Sequence, residues 1–120
     1  MHELSFVKRI VDQVLYILNS TDLNDEYVSA VRVSVGTITG VIPSYLIDYY
    51  NKTINNTLLE KSELIVTTEE VQIECAECQL IYMPSKNYNY YCPYCGSKKG
   101  RIVSGRDIRI EEIILSSKEG

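Results

Sequence analysis

All four cysteines of this 120-residue chain lie in one stretch, ECAECQLIYMPSKNYNYYCPYCG, as two Cys-x-x-Cys pairs. Cys75 pairs with Cys78, Cys92 pairs with Cys95, and thirteen residues separate the pairs. No other feature limits the fold as much. A two-residue gap lets both sulfurs of a pair turn back onto one ion, and zinc accepts four thiolates in a closed tetrahedron. Gly96, directly after the second pair, permits the tight turn that frees backbone amides to hydrogen-bond the sulfurs. The intervening segment is long enough to fold as a hairpin and bring the pairs together. Zinc is favoured over iron, although CPYCG also looks like one knuckle of a rubredoxin, in which iron would make a coloured electron carrier. Four protein ligands leave no position for water or substrate, so such a site is structural rather than catalytic.

The chain is long enough for one domain, or for one small domain with a smaller module attached. No run is long and apolar enough to span a membrane, and the interrupted segment after Lys8 and Arg9 does not read as a signal peptide. The expected compartment is therefore the reducing cytoplasm, where paired cysteines point to metal rather than disulfides. Formal net charge is −4. Residues 1–70 carry Lys8, Arg9, Arg32, Lys52 and Lys61 against ten carboxylates, which argues against a nucleic-acid partner.

Leu4, Val7, Val11, Val14 and Leu18 recur at three- and four-residue steps, which predicts a helix from about residue 3 or 4 to about 18. Val31, Val33 and Val35 alternate with polar residues, as in a half-buried strand. Gly36 and Gly40 suit tight turns, and Pro43 suits the first turn of a second helix in which Leu46, Tyr49, Tyr50 and Ile54 share a face. SELIVTT predicts a strand, 67–70 a turn, and VQIEC a short strand running into the first cysteine pair. Ile108 and Ile110 alternate in a final strand that needs a sheet to lie against, the natural one being formed by 26–35 and 62–68. The cysteine region is then an insertion. The expected fold class is α+β: a small two-helix mixed-sheet domain of residues 1–70 plus 106–117, with an inserted zinc-ribbon module of residues 71–105.

The chain has no phosphate-binding glycine loop, and its only histidine is His2, between Met1 and Glu3. By elimination enzymatic function is not expected. A free α-amine, the His2 imidazole and two deprotonated backbone nitrogens make a planar four-nitrogen set that suits Ni(II) or Cu(II). Glu3 can contribute its backbone nitrogen, or its carboxylate can orient the site.

MHELS at the start, a Gly-x-x-x-Gly-Val-x-Pro-x-x-Leu pattern across 36–46, and the two cysteine pairs followed by a glycine and an amphipathic strand resemble the HypA/HybF family. These are nickel metallochaperones for the maturation of nickel–iron hydrogenase and, in some organisms, urease. The resemblance implies a nickel-binding α/β domain interrupted by a zinc ribbon. It implies that His2 is the essential Ni²⁺ ligand, with Met1 and Glu3 contributing backbone nitrogens, and that Cys75, Cys78, Cys92 and Cys95 bind structural Zn²⁺. It implies a HypB-type GTPase and the hydrogenase large-subunit precursor as partners. Monomer and homodimer both stay open for the chain itself. Some members add a second histidine or an acidic residue to the nickel site, whereas this chain has no second histidine and the loop position is the apolar Ile42. A reading from another class is a zinc-ribbon module for protein interaction, in which His2 plays no part.

Overall fold

The computed structural model describes residues 3–118. The elements run α1 (Glu3–Asn19), β1 (Glu26–Gly36), α2 (Pro43–Thr53), β2 (Glu63–Glu69), β3 (Gln72–Cys75), β4 (Ile81–Tyr82), β5 (Gly100–Ser104) and β6 (Ile108–Ser117). They form two three-stranded sheets, ordered β2-β1-β6 and β4-β3-β5. This is an α+β fold with mixed strand directions: β1 is parallel to β2 across the α2 crossover and antiparallel to β6. The second sheet leads out of the first through residues 70–71 and 105–107. The molecule is accordingly elongated, 57 × 25 × 23 Å, with a radius of gyration of 18.3 Å. A compact chain of this length would have about 14 Å.

The helices pack on one face of the first sheet. From α1 they bury Val7, Ile10, Val11, Val14 and Leu18, and from α2 Leu46 and Tyr50, over Val28, Val31, Val33 and Val35 of β1. Burying one such Leu or Val contributes roughly 1.5–3 kcal/mol. The α1 stripe differs from expectation at its start, since Leu4 is exposed and Glu3 is buried. On α2, Tyr49 lies outside the buried face that Leu46, Tyr50 and Ile54 share. Tyr50 keeps its phenol inside because the hydroxyl meets Ser62 Oγ at 2.6 Å. The opposite face of the sheet is polar, with Arg32 on Glu112 and Arg109 on Glu69.

Two bulges set which side chains reach the core. Register shifts between Val28 and Ala30, so that Ser29 is the extra residue on β1. The shift puts Val28 in phase with Val31, Val33 and Val35. A second shift between Arg32 and Val33 leaves Glu111 extra on β6, and brings Ile113 into phase with Ile108 and Ile110. Strict alternation would have turned Val28 away from the other three valines of β1, and Ile113 away from Ile108 and Ile110.

Two expectations about turns are corrected. Residues 67–69 do not turn, because β2 stays paired with β1 through Ser34–Thr67, Val35–Thr68 and Gly36–Glu69. Gly40 does close a 3-10 turn (Thr37–Thr39) at φ +69°, but Gly36 is extended, with φ −70° and ψ 136°. Gly36 is needed for a close approach, since a Cβ there would lie 2.2 Å from the carbonyl of Gly105.

Candidate metal centres

The four cysteine sulfurs lie within 4.8 Å of one another. Cys75 Sγ is 3.5 Å from Cys95 Sγ, and Cys78 Sγ is 3.7 Å from Cys92 Sγ. A tetrahedron with zinc–sulfur bonds of about 2.3 Å has edges of about 3.8 Å. A disulfide needs about 2.05 Å, and all four thiols are free. The donor set and its spacing therefore fit one tetrahedral thiophilic ion.

Each pair sits in a knuckle of the same construction. Gln79 N–H donates to the Cys75 carbonyl at 3.0 Å, and Gly96 N–H donates to the Cys92 carbonyl at 2.8 Å. Both residues take the left-handed conformation, Gly96 at φ +77° and Gln79 at φ +62°. The pairs meet by a route other than a hairpin within 79–91. The hairpin is β3–β4, which encloses the first pair. A 3-10 turn at Lys86–Tyr88 then leads the chain to the second pair.

Backbone amides aim at the sulfurs. The N–H groups of Cys78 and Glu77 favour the Cys75 thiolate, and its pKa is lowered to about 6. At Cys95 the Ser97 N–H acts in the same direction, but the contact with the Cys75 sulfur and burial outweigh it and push the thiol up to about 12. Cys78 is likewise raised, despite the N–H of Leu80, by burial and by the sulfurs of Cys75 and Cys92. Four thiolates so close repel one another, and a divalent cation relieves that repulsion.

Met1 and His2 lie outside the described residues. Glu3 opens α1 with its side chain turned inward, 7% exposed, and its Oε2 accepts from Ile42 N–H at 3.3 Å. Ile42 is the residue that caps the start of α2. The carboxylate is thus engaged with the 36–42 loop. The cysteine centre and residue 3 are separate places in the fold.

Sequence reasoning missed three participants. Gln79 holds the place in the first knuckle that Gly96 holds in the second, and its signal was the alignment of CAECQ with CPYCG. Thr39 is buried in the 36–42 loop, with its hydroxyl donating to Gly36 O at 2.8 Å and accepting from Val41 N–H at 3.2 Å. Gly105, at φ +82°, packs against Gly36. No local pattern reports a contact between residues so far apart in the chain.

Comparison with known proteins bears on what these centres do. A family model described as "Hydrogenase/urease nickel incorporation, metallochaperone, hypA" matches residues 1–115. The hydrogenase maturation factor HypA of Aquifex aeolicus (strain VF5) is 33% identical over 115 residues, covering 96% of this chain and 97% of that protein. The factor of the same name from Prosthecochloris aestuarii (strain DSM 271 / SK 413) is 31% identical over 115 residues, covering 96% and 99%. The solution structure of the Ni metallochaperone HypA from Helicobacter pylori superposes with a TM-score of 0.70 at 21% identity, covering 98% of this chain and 99% of that one. At that identity the likeness speaks for the fold.

Proposed function

The chain belongs to the HypA family of hydrogenase/urease nickel-incorporation metallochaperones, which are maturation factors and not enzymes, and on that footing we propose that it binds Ni(II) at its N-terminus and delivers it to a hydrogenase precursor. Structural zinc is the resident metal of this family and nickel its cargo. In this reading Cys75, Cys78, Cys92 and Cys95 hold the zinc, which fastens the 71–105 module. The Met1 amine, the His2 imidazole and the backbone nitrogens of His2 and Glu3 hold the nickel. The units of work are then residues 1–70 plus 106–117 for nickel and 71–105 for zinc.

The observation that carries this reading is the family match over residues 1–115, which includes Met1, His2 and Glu3. The closed four-sulfur centre supports it, because it leaves no cysteine for cargo. A nickel set built on the terminus and deprotonated amides releases protons on binding and gives up the metal readily as pH falls. That suits a carrier. Recipients and helpers in this reading are a HypB-type GTPase and the hydrogenase large-subunit precursor, in the cytoplasm, with urease as a second client.

The test is calorimetric titration of nickel into untagged, zinc-loaded protein that begins at Met1, followed by visible absorption. One equivalent bound with a planar-type spectrum, and lost in His2→Ala, is the expected result. Equal binding by both chains, or by neither, overturns the reading and leaves a zinc-ribbon interaction module.

A further inference from the structure

We infer that the 36–42 loop is a mount for the nickel-binding terminus, and that Thr39 is a positioning residue for nickel although it touches no metal. The inference rests on the nickel reading above.

The loop is fastened at its base to the place where the two sheets join. Gly36 N–H donates to Asp107 O at 2.9 Å, and Ile38 N–H donates to Gly105 O at 3.1 Å. Beneath Gly36, the backbone of Gly105 is itself stacked on Glu70, where a Cβ would lie 2.7 Å from the carbonyl. Three backbone segments therefore cross with no room for a side chain between them. The Glu69 carboxylate locks the crossing, since one oxygen accepts from Gly105 N–H at 3.1 Å and the other from Arg109 at 2.6 Å.

Thr39 holds the middle of the loop. It is 8% exposed, and its hydroxyl works in both directions, donating to Gly36 O and accepting from Val41 N–H. One hydroxyl thus ties the base of the loop to its far arm. At the tip, Ile42 N–H donates to the buried Glu3 carboxylate. The links run from the Gly36–Gly105 crossing through Thr39 to Val41, one step along the chain to Ile42, and from there to residue 3, the neighbour of His2 in the chain.

The loop acts through preorganisation. A ligand set that is competent only part of the time binds with an affinity reduced by that fraction. With the loop rigid, the backbone nitrogen of Glu3 is held in one place before nickel arrives. With the loop loose, the hydrogen bond from Ile42 N–H to the Glu3 carboxylate is no longer held in place and the competent fraction falls.

Thr39→Val keeps the side-chain volume and removes both hydrogen bonds. We expect nickel affinity to fall about five- to ten-fold, the range set by the net worth of a buried hydrogen bond. The planar absorption band of the saturated variant should also shift or weaken, while zinc content and helical circular dichroism stay native. Thr39→Ser restores the hydroxyl and should return affinity to within about two-fold of native. If Thr39→Val fails to fold, Thr39→Ala carries the same comparison with less crowding. Native affinity and spectrum in the hydroxyl-less variant overturn the mount and leave the nickel reading standing. Equal weakening in Val and Ser variants also overturns it, because size rather than hydrogen bonding would then matter. No nickel bound by the native chain overturns both.

Discussion

Both sheets place their first strand in the middle, β1 between β2 and β6, and β3 between β4 and β5. What fills them differs. The first is covered by two helices and closes over a broad cluster of Val, Leu and Ile with Tyr50 among them. The second has Cys75, Tyr82 and Cys92 as its buried cluster, with Ile73 and Cys78 packed alongside. One sheet is held by apolar area removed from water. The other has too little apolar area for that, and its interior is made of metal donors. A strand pairing of two residues in β4 does not stand without such a staple. The metal donors of the second sheet stand where a hydrophobic core stands in the first.

Metal removal should separate the two sheets most. Structural zinc sites are worth on the order of 10 kcal/mol of folding free energy. Chelation, or Cys92→Ser, should therefore unfold residues 71–105 while the helical circular dichroism of α1 and α2 persists. Amide hydrogen exchange checks this, and simultaneous loss of protection in both sheets would refute it. Lowering pH should act in the same direction, as thiolates take up protons and release the ion.

An intermediate effect falls in the first sheet. Ser62 has one hydroxyl proton, which goes to Leu59 O at 2.6 Å, so the Tyr50 hydroxyl is the donor between the two side chains. Ser62→Ala leaves that buried phenol without an acceptor and should cost about 1–3 kcal/mol. Urea denaturation followed at the helical signal reads this, and the zinc-site absorbance of a cobalt-substituted sample should not move with it.

The smallest effect separates the two knuckles. Gln79 holds a left-handed conformation that costs a non-glycine residue roughly 1 kcal/mol. Gln79→Gly should tighten metal binding by about that amount in competition with a chelator. Gly96→Ala should weaken it similarly, since a Cβ at Gly96 meets nothing within 4 Å and only the backbone strain remains. Opposite signs of comparable size are the expected outcome.

Much of this was legible in the chain because it is written locally. The spacing of Cys75, Cys78, Cys92 and Cys95 determined a four-sulfur centre, since each knuckle closes over a few residues. The stripe from Val7 to Leu18 determined a helix, and Pro43 marked where the next one starts. Alternation in 31–35 and at Ile108 and Ile110 determined strands. Tertiary structure decided the rest. The bulges at Ser29 and Glu111 depend on which strand lies opposite, so neither alternation alone revealed which face Val28 or Ile113 would join. Thr67 and Thr68 read as a turn until the parallel partner β1 supplied their hydrogen bonds. Above all, Gly36, Thr39, Gly105 and Glu3 acquire their roles only when segments far apart in the chain come within hydrogen-bonding distance. A local pattern records the preferences of one segment for its own neighbours. A backbone crossing without room for a Cβ is a property of two segments at once, and only the folded chain brings them together.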